Sequence, residues 1–598
     1  MTTSASTTAS KGGAWLIDQT PPGDILTPER LSEEHRLIAR TTDEFVDGEV
    51  LPNLERLEKK DWDFARHLIR RCGELGLLGI DVPEAYGGLD LDKTSSLVVA
   101  EQIARSASFC VTFGGQTNLC VLPIALFGTE AQKQKYIPRL VTGELVGAYA
   151  LSESGSGSDA LAARTRATRQ PDGSWVLNGE KMWITNGGFA DVIIVFARVD
   201  GEHFTAFIVE RAFPGVSSGN EEHKMGLHGS STTPIVLSEA KVPAENVLAE
   251  IGKGHKVALN TLNFGRFKLG AMCSGGARSA IGDAARYAAQ RKQFGQSIAS
   301  FGAIKQKLGE MTARTYAAES LTYRTCGLIE AALAAGDGAH DGAAIARVFE
   351  EFAVESSIAK VAGSETVDYV LDENVQIHGG NGFVSDYPAE RSYRDARVNR
   401  IFEGTNEINR LLIPGMLIRR ALKGELPLIA AARRLQDEIL SPSMPSAGFG
   451  DRARLDDEQA TVAAFKKVAL MVLGTAMQTY GEKLSDEQEI LSYAADILID
   501  TYAAESAVLR ARQAIADRHA LADLHEAATR VFVNDAVQRV EAAAKSALAA
   551  MAEGDTLRTL LAALRRVLKA TPVNTVKLRR QLADAVTGRG AYVLNSPW

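Results

Sequence analysis

The distribution of apolar and polar residues divides the chain into helical and β-rich stretches. Residues 26–143 read mainly as helix, and Ser32, just ahead of Glu33 and Glu34, is a candidate N-cap for the first one. From about residue 144 the pattern changes to short runs rich in β-forming residues. At about residue 256 it returns to long helices rich in alanine and charge. The pattern therefore predicts a β-domain placed between two helical regions.

Six short runs carry the β pattern, and turn dipeptides separate them at strand spacing. The runs are residues 174–177, 181–185, 192–199, 204–209, 232–237 and 240–242. The turns are Asp172-Gly173, Asn178-Gly179, Asn186-Gly187-Gly188 and Asp200-Gly201. We therefore expect these runs to be separate strands of one domain covering residues 144–255.

The remaining stretches complete the predicted domain organisation. Residues 1–25 begin with a run of Ser, Thr and Ala and are expected to form a flexible tail. Residues 441–455 contain Pro442 and Pro445 and are typical of a linker. Beyond it, residues 456–598 are expected to form a helical extension, because apolar side chains from Phe465 to Tyr480 share one helix face.

Composition excludes some classes of function. The 598 residues are too many for one core, and 45% hydrophobic with 23% charged residues is ordinary for a globular protein. The net charge of −8 argues against a nucleic-acid binder. Five scattered cysteines with no CxxC pair indicate no metal site and a reduced, cytoplasmic compartment.

Two segments of the β-rich region have compositions suited to ligand contact. The sequence AYALSESGSGSD at 148–159 contains small residues whose backbone N–H groups can approach a ligand closely, although such a run is also typical of a plain loop. The sequence KMWITNG at 181–187 places Trp183 beside Thr185, which suits a flat ring that accepts a hydrogen bond. The alternative is a core tryptophan ahead of a hairpin turn.

A third segment combines glycine-rich turns with charge. It contains QIHGGNGF at 376–383 and RIFEGTNE at 400–407. Glu403 lies between Phe402 and Gly404, and a carboxylate among apolar neighbours has a raised pKa and makes a better general base. The alternative is a solvated helical glutamate.

In this order and spacing, the three segments resemble the acyl-CoA dehydrogenase family over about residues 26–425. The block 376–410 is the most specific part, and RKQFG at 291–295 resembles a turn of that family. The resemblance implies a mainly α fold with a central β-domain. Its parts are an N-terminal helical domain at 26–143, a β-barrel or sandwich at 144–255, a four-helix bundle at 256–425 and the extra helical domain.

The resemblance also implies a cofactor, FAD, and residues that contact it. Tyr149, Leu151, Ser152, Gly157, Ser158, Trp183, Ile184 and Thr185 match positions beside the flavin, where Thr185 is expected to bond near N5. Arg291, Phe294, Gln376, Gly379 and Gly380 match positions that hold the ADP half of the FAD of a neighbouring subunit, and Thr405 and Glu407 match residues beside the pyrophosphate. A homodimer is therefore implied.

Substrate and catalytic roles follow from the same resemblance. Ser158, Arg266 and Gly404 match acyl-CoA contacts, and Glu403 matches the catalytic base. The chain resembles the very-long-chain branch, whose members carry a helical extension. In branches with another base, a glutamate stands just before the arginine; here that position is Gly265. Gly114 and Gly115 lie where the family's acyl pocket is lined, or they serve a helix contact.

The implied reaction is dehydrogenation of a long or very long acyl-CoA to trans-2-enoyl-CoA in fatty acid β-oxidation. Glu403 is expected to remove the α-proton, its N–H to stabilise the thioester oxygen, and the flavin to take the β-hydride. Electrons are expected to pass to an electron-transferring flavoprotein. An acyl-CoA oxidase that reduces O₂ is the alternative enzyme, and a scaffold derived from the family is the alternative without catalysis.

One basic segment suggests a further contact. Between 557 and 580, apolar residues at helical spacing accompany seven Lys and Arg residues, with no acidic residue between Asp555 and Asp584. Such a helix can lie on an anionic membrane, at the inner face of the cell membrane for a cytoplasmic protein. Alternatively, its apolar stripe packs on the catalytic body.

Overall fold

Residues 33–141 form the N-terminal helical domain, and local capping explains where its helices start. The structure is a computed structural model that describes residues 10–336, 341–440 and 453–594. Ser32 caps the first helix as predicted, since its side chain accepts from His35 N, and Thr129 caps the last in the same way. The helices are α1 Glu33–Phe45, α2 Leu54–Glu58, α3 Trp62–Glu74, α4 Lys93–Ile103, α5 Ala107–Gln116, α6 Leu122–Phe127 and α7 Glu130–Val141.

An eight-stranded sheet follows. Its strands are β1 Gly147–Ala150, β2 Arg166–Arg169, β3 Trp175–Thr185, β4 Val192–Val199, β5 His203–Glu210, β6 Val216–Ser218, β7 Thr232–Val242 and β8 Val247–Leu248. The order is β6-β7-β3-β2-β4-β5-β8, and β1 pairs in parallel with β4. The β4–β5 hairpin has the predicted bounds within two residues, because its alternation and its Asp200-Gly201 turn are regular.

The predicted turn at Asn178-Gly179 is wrong, because β3 continues through it. The pairing of β3 with β7 shifts register between Leu177 and Gly179 and again between Lys181 and Ile184. Gly179 adopts a φ of +155°, and a Cβ there would lie 2.5 Å from Thr165 Oγ1. The glycine therefore marks a bulge inside a long strand rather than the end of a strand.

A helical bundle carries the next part of the chain. Its elements are α8 Gly254–Gln290, the two-residue strands β9 Lys292–Gln293 and β10 Gln296–Ser297, α9 Gly302–Ala335, α10 Gly342–Glu351, α11 Ala353–His378, α12 Pro388–Ala396 and α13 Asn406–Leu422. Helices α8 and α11 approach closely because glycines face each other: a Cβ on Gly363 would lie 3.2 Å from Gly270 Cα. This close approach places α8 and α11 on either side of the loop before α13.

The helical extension packs on the bundle. Its helices are α14 Leu428–Leu440, α15 Asp456–Tyr480, α16 Gln488–Ala516, α17 Ala522–Met551, α18 Gly554–Val567 and α19 Thr575–Arg589. Helices α16, α17 and α19 contact α9, and their apolar side chains share one core with the bundle. The predicted fold class, mainly α with a central β-domain, is confirmed.

The predicted flexible tail, residues 1–25, is wrong for its described part. Trp15 is buried, and its indole N–H donates to Glu355 in α11 at 3.0 Å, while Gly13 N donates to the same carboxylate at 2.6 Å. The sequence did not reveal this contact, because Trp15 comes soon after a low-complexity run rich in Ser, Thr and Ala. Residues 1–9 and most of the predicted linker 441–455 lie outside the described residues.

The apolar stripe between residues 557 and 580 faces the protein, so the structure does not support a membrane contact. Two helices, α18 and α19, replace the single amphipathic helix. Leu564 is buried, and Leu560 and Val567 pack against the shared core. Arg579 is also buried and pairs with Glu310 at 2.6 Å. Periodicity predicted the apolar face, but the surface that covers it is a tertiary feature.

Candidate active site

Glu403 lies in the loop between α12 and α13, not in a helix. The residue is half-buried, but its Oε2 atom is buried and has no hydrogen-bond partner among the described residues. Its φ is +57°, a left-handed conformation that is uncommon for a residue with a side chain. Burial raises the pKa of its carboxyl to about 7, although Arg266 and Lys360 oppose the rise. A carboxylate with this pKa is suited to accept a proton near neutral pH.

Helix α8 supplies the residues directly beside Glu403. Arg266 is buried; its Nε donates to Glu403 O at 3.1 Å and its Nη1 donates to Asn263 Oδ1 at 3.1 Å. A Cβ on Gly265 would lie 2.6 Å from Glu403 Oε2. Position 265, the alternative position for the base, is therefore in direct contact with Glu403. Only glycine at this position leaves room for the Glu403 carboxylate.

Strand β1 brings a second unpartnered polar group to the same place. The hydroxyl of Tyr149 is buried without a hydrogen-bond partner in the described residues. Burial, with a smaller effect from the nearby charge of Glu403, raises the pKa of Tyr149 well above its usual value. Two buried polar atoms that both lack partners indicate a site built for a ligand.

The predicted contact residues after Tyr149 lie beside β3. Met182 N donates to Ser152 O at 2.9 Å, so the 151–158 segment is fixed to that strand. Leu151 is buried, whereas Gly157 and Ser158 are exposed on the following loop. Within β3, Ile184 is buried and Thr185 is half-buried, but Trp183 is 57% exposed with a φ of +58°. The exposure of Trp183 excludes the alternative of a core tryptophan and leaves its ring available for contact.

Other carboxylates near these segments have structural roles. Glu153 is buried and pairs with buried Lys181 at 2.7 Å, and its oxygens also accept from Arg164 N and Thr165 N. These contacts hold the pKa of Glu153 below its usual value despite burial. Thr405 caps α13 by accepting from Ile408 N, and Glu407 is exposed in the first turn. Of Glu153, Glu403 and Glu407, Glu403 is the one with a buried oxygen that has no hydrogen-bond partner in the described part of the chain.

The remaining predicted residues lie at the other end of α8. Arg291, Phe294, Gln376, Gly379 and Gly380 are all exposed, and Phe294 is 92% exposed. Tyr287 holds this group together, because its ring stacks on His378 at 4.1 Å and its hydroxyl donates to His378 O. Tyr287 and Arg266 are 21 positions apart on one helix, which separates them by about 32 Å at about 1.5 Å per residue.

An apolar cavity lies on one side of the Glu403 loop. It has a volume of about 390 Å³, within the range of small-molecule sites, and Phe402 is part of its wall. Its apolar lining includes Leu269, Met272 and Cys273 of α8 and Val111 of α5. The lining also contains charged residues, namely Glu58, Arg105, Asp283, Arg286, Arg391 and Asp395. Gly114 and Gly115 do not line it; Gly115 instead allows α5 to approach Asn186.

A basic cleft of about 640 Å³ lies on the other side and reaches Arg266 and Asn263. Its wall includes the basic residues His255, Lys256, Arg347 and Arg419, against one acidic residue, Glu350. The α8 residues that line the cleft and the cavity recur every three or four positions. One face of α8 therefore runs from the basic cleft past Glu403 into the apolar cavity.

Sequence reasoning identified Arg266 but missed the other residues that hold the Glu403 loop and line the cleft. Lys360 of α11 is fully buried and donates to Gly404 O at 2.8 Å, and Asn409 Nδ2 donates to the same oxygen at 2.8 Å. A single lysine inside the run Ile358-Ala359-Lys360-Val361-Ala362 was the signal that could have identified Lys360. The basic cleft had no such signal, because its residues come from α8, α10 and α13.

Comparison with known protein families gives four matches along the chain. They are the N-terminal domain of acyl-CoA dehydrogenase at residues 32–144, its middle domain at 148–240, its C-terminal domain at 252–417 and a second acyl-CoA dehydrogenase C-terminal domain at 464–566. Together the four matches cover more than half of the chain.

Whole-chain comparisons agree with these matches. A Bacillus subtilis protein named "Probable acyl-CoA dehydrogenase" is 48% identical over 98% of both chains. The human mitochondrial very long-chain specific acyl-CoA dehydrogenase is 34% identical over 86% of this chain and 79% of its own. An acyl-CoA dehydrogenase from Bacillus anthracis, solved in complex with FAD, has a TM-score of 0.96 and 49% identity, covering 98% of this chain and all of its own.

Proposed function

This chain belongs to the acyl-CoA dehydrogenase family, and from that membership we propose that Glu403 is the base in the α,β-dehydrogenation of long-chain acyl-CoA. The protein is an FAD-dependent oxidoreductase that acts on acyl-CoA, as its relatives are. The observation that carries the proposal for Glu403 is its position, with a buried, unpartnered oxygen between an apolar cavity and a basic cleft.

The residues on the β-domain side of Glu403 fit FAD. Trp183 offers an exposed ring, and the Tyr149 hydroxyl is buried without a partner in the described part of the chain. A Cβ on Gly157 would meet nothing within 4 Å, so a ligand can approach the backbone there. We assign Tyr149, Leu151, Ser152, Gly157, Ser158, Trp183, Ile184 and Thr185 to the flavin side, and Thr405 and Glu407 to its pyrophosphate. When bound, FAD supplies the redox step by accepting the β-hydride.

The two cavities match the two halves of an acyl-CoA. The basic cleft suits the phosphates of CoA, since Arg and Lys form charge-assisted hydrogen bonds with phosphate oxygens, and Arg266 lies at its inner end. The apolar cavity suits the acyl tail. From Leu269 to Ala280, its apolar wall on α8 extends about 17 Å, similar to the ~15 Å that one leaflet of a bilayer core fills with acyl chains.

Proton removal follows from this arrangement. A tail in the apolar cavity and a head group in the basic cleft place the thioester and its α-carbon beside Glu403, whose Oε2 is free to accept the α-proton. The backbone N–H of Glu403 donates to no acceptor among the described residues. It is therefore available to stabilise the negative charge that develops on the thioester oxygen. Ser158 and Gly404 are further candidate acyl-CoA contacts.

We propose a homodimer in which each FAD contacts two chains. Arg291, Phe294, Gln376, Gly379 and Gly380 lie around the far end of α8, where Tyr287 is about 32 Å along the helix from Arg266 of the Glu403 site. We therefore infer that a partner chain, rather than the chain that supplies Trp183, provides these residues to each FAD. Their high exposure supports this assignment, because they are free to contact a second chain.

The substrate class and electron acceptor complete the proposal. The helical extension and the 34% identity to a very long-chain specific enzyme support assignment to that branch. We propose an electron-transferring flavoprotein as the acceptor. The experiment is anaerobic bleaching of the flavin by a series of acyl-CoAs, in which hexadecanoyl-CoA is expected to react faster than butyryl-CoA.

In that experiment, a different result would contradict each part of the proposal. An absence of bleaching by every acyl-CoA contradicts the assignment of the site. Equal rates for butyryl- and hexadecanoyl-CoA contradict the preference for long chains. Rapid peroxide formation in air during turnover favours the alternative, an acyl-CoA oxidase, over transfer of electrons to a flavoprotein.

A further inference from the structure

The loop that carries Glu403 is held through its backbone carbonyl groups. Arg266 Nε donates to Glu403 O at 3.1 Å, and Lys360 Nζ donates to Gly404 O at 2.8 Å. Asn409 Nδ2 lies within hydrogen-bonding distance of the carbonyl oxygens of residues 403, 404 and 405, at 3.4, 2.8 and 3.0 Å. Two buried cations and one amide therefore fix three consecutive peptide groups.

This anchoring opposes an unfavourable backbone conformation. Glu403 and Gly404 adopt φ values of +57° and +77°, so two consecutive residues are left-handed. A non-glycine residue in this region is unfavourable and persists only where its surroundings impose it. Without the anchors, we expect the loop to relax and the Glu403 carboxylate to move.

The burial of Lys360 is expected to lower the stability of the fold rather than to raise it. Its side chain is fully buried, and besides Gly404 O it donates to Asn406 Oδ1 at 2.6 Å. No carboxylate of the described residues lies within ion-pair distance of its ammonium group. A buried cation without an ion-pair partner is costly, and such costs are typical of functional sites.

We propose that Lys360 is a positioning residue for catalysis: its ammonium group, bound to Gly404 O, holds the left-handed turn that directs the Glu403 carboxylate to the junction of the apolar cavity and the basic cleft. The proposal rests on the proposed role of Glu403 as the base. Lys360 itself contacts neither cavity, so its effect on the reaction passes through the loop and through its charge.

The charge of Lys360 also supports the role of Glu403 as a base, because a nearby cation favours the ionised carboxylate. The groups that face Glu403 are Arg266 from α8, Lys360 from α11 and neutral Tyr149 from β1. Burial raises the pKa of Glu403 to about 7, and the two cations limit that rise. Removing one cation therefore raises the pKa of Glu403 further, and a higher pH is then needed to ionise the base.

The test is Lys360→Met in the full-length, FAD-loaded protein. We expect the rate of anaerobic flavin reduction by hexadecanoyl-CoA to fall about 100-fold, the effect of misplacing a reacting group by about 1 Å. In the wild type this rate is expected to rise with pH through about 7, and in the variant the midpoint moves to higher pH. Hydrogen exchange of the 401–408 backbone, measured without substrate, is expected to accelerate.

A second variant keeps the charge of Lys360 and removes one of its acceptors. In Asn406→Ala, Lys360 loses this acceptor, and the bonds of Asn406 to Ser364 and Glu365 are lost as well. We expect flavin reduction to slow about tenfold, with a smaller shift of the pH midpoint. Lys268→Met is the matched control. Lys268 is also buried on a bundle helix, and burial lowers the pKa of both lysines to about 8, but Lys268 donates to Ser96 rather than to the loop.

The outcomes separate this proposal from the proposed function. If no acyl-CoA reduces the wild-type flavin, the proposed function fails. If the wild type is reduced and both Lys360→Met and Asn406→Ala keep its rate, pH midpoint and exchange pattern, the role of Lys360 is refuted. A pH midpoint that moves equally in Lys268→Met also refutes it. Should Lys360→Met not fold, the rate and exchange of Asn406→Ala decide.

Discussion

At the residue scale, Glu403 is the group whose chemistry the site depends on. Glu403→Gln keeps the size of the side chain but cannot accept the α-proton. We expect it to retain FAD and bind acyl-CoA, while flavin bleaching slows by a factor of about 10² to 10⁴ or more, about 3 to 6 kcal/mol of transition-state stabilisation. Glu403→Asp should give an intermediate rate, because the shorter side chain withdraws the carboxylate by about 1 Å.

Stopped-flow absorbance at the flavin band under anaerobic conditions measures this effect. Glu425→Gln is the matched control, because Glu425 is exposed just beyond the end of α13 and has no role in the proposed site. Near wild-type bleaching by Glu403→Gln shows that another group removes the proton. Glu153 is then the next carboxylate to test, although its pairing with Lys181 opposes that role.

Residue identities at the site were predictable where a short segment carries the function. The FEGT segment at 402–405 and Trp183 with Thr185 stood out as short segments, and the resemblance to the family gave their expected roles. Lys360 and Asn409 were not, because each acts on a backbone carbonyl that folding brings to it. Every residue has a backbone carbonyl group, so the sequence does not show which carbonyl accepts a hydrogen bond from a given side chain.

At the element scale, the close packing of α8 against the Glu403 loop gives a second prediction. In Gly265→Ala, the new Cβ falls 2.6 to 2.9 Å from the carboxylate atoms of Glu403, closer than real contacts allow. We expect the carboxylate to be displaced and flavin bleaching to slow about 100-fold, with FAD content unchanged. Gly282→Ala on the same helix is the control, since its nearest neighbour is the movable end of Arg286. An unchanged bleaching rate in Gly265→Ala contradicts the predicted displacement.

Helix α16 gives a prediction about how the extension attaches. Arg510 is fully buried; its Nη1 pairs with buried Glu319 of α9 at 2.7 Å and its Nη2 with Glu29 at 2.6 Å. Arg510→Met leaves these carboxylates without that cation, and breaking a buried pair typically costs about 3 to 5 kcal/mol. Thermal unfolding followed by circular dichroism should show a clearly lower midpoint.

Arg512→Ala on the same helix is the control for Arg510→Met. Its partner Asp456 is partly exposed, so its loss is expected to cost about 1 kcal/mol or less. Equal unfolding midpoints for the two variants contradict a dominant role of the buried pairs in attaching the extension.

Elements were predictable where local pattern and tertiary environment agree. Strand β4 has the predicted bounds, and Ser32 caps α1 as expected. The single strand β3 was split in two because Asn178-Gly179 has the composition of a turn, while pairing with β2 and β7 keeps it extended. The sequence cannot distinguish a turn from a bulge when the partner strands decide.

At the scale of the whole molecule, the order of helical and β-rich regions predicted the architecture, but not what covers each surface. The stripe from Leu557 to Leu568 was predicted to face either lipid or the catalytic body, and the structure places it on the body. Trp15, expected in a flexible tail, is instead buried beside α11. Periodicity identifies an apolar face, whereas its partner depends on long-range contacts.

The last prediction concerns assembly. Arg291 is exposed just beyond the end of α8, whose Tyr287 lies about 32 Å along the helix from Arg266, and we propose that it contacts the FAD of another chain. Arg291→Ala should therefore lower FAD content and dimer content together. FAD bound between two chains stabilises the dimer, and the dimer in turn retains FAD. Light scattering coupled to size exclusion, with absorbance at the flavin band, measures both quantities in one run. Arg558→Ala, which removes an exposed arginine of α18, is the control and should change neither. A monomeric Arg291→Ala protein that keeps one FAD per chain contradicts a shared site, as does a wild-type monomer with full flavin content.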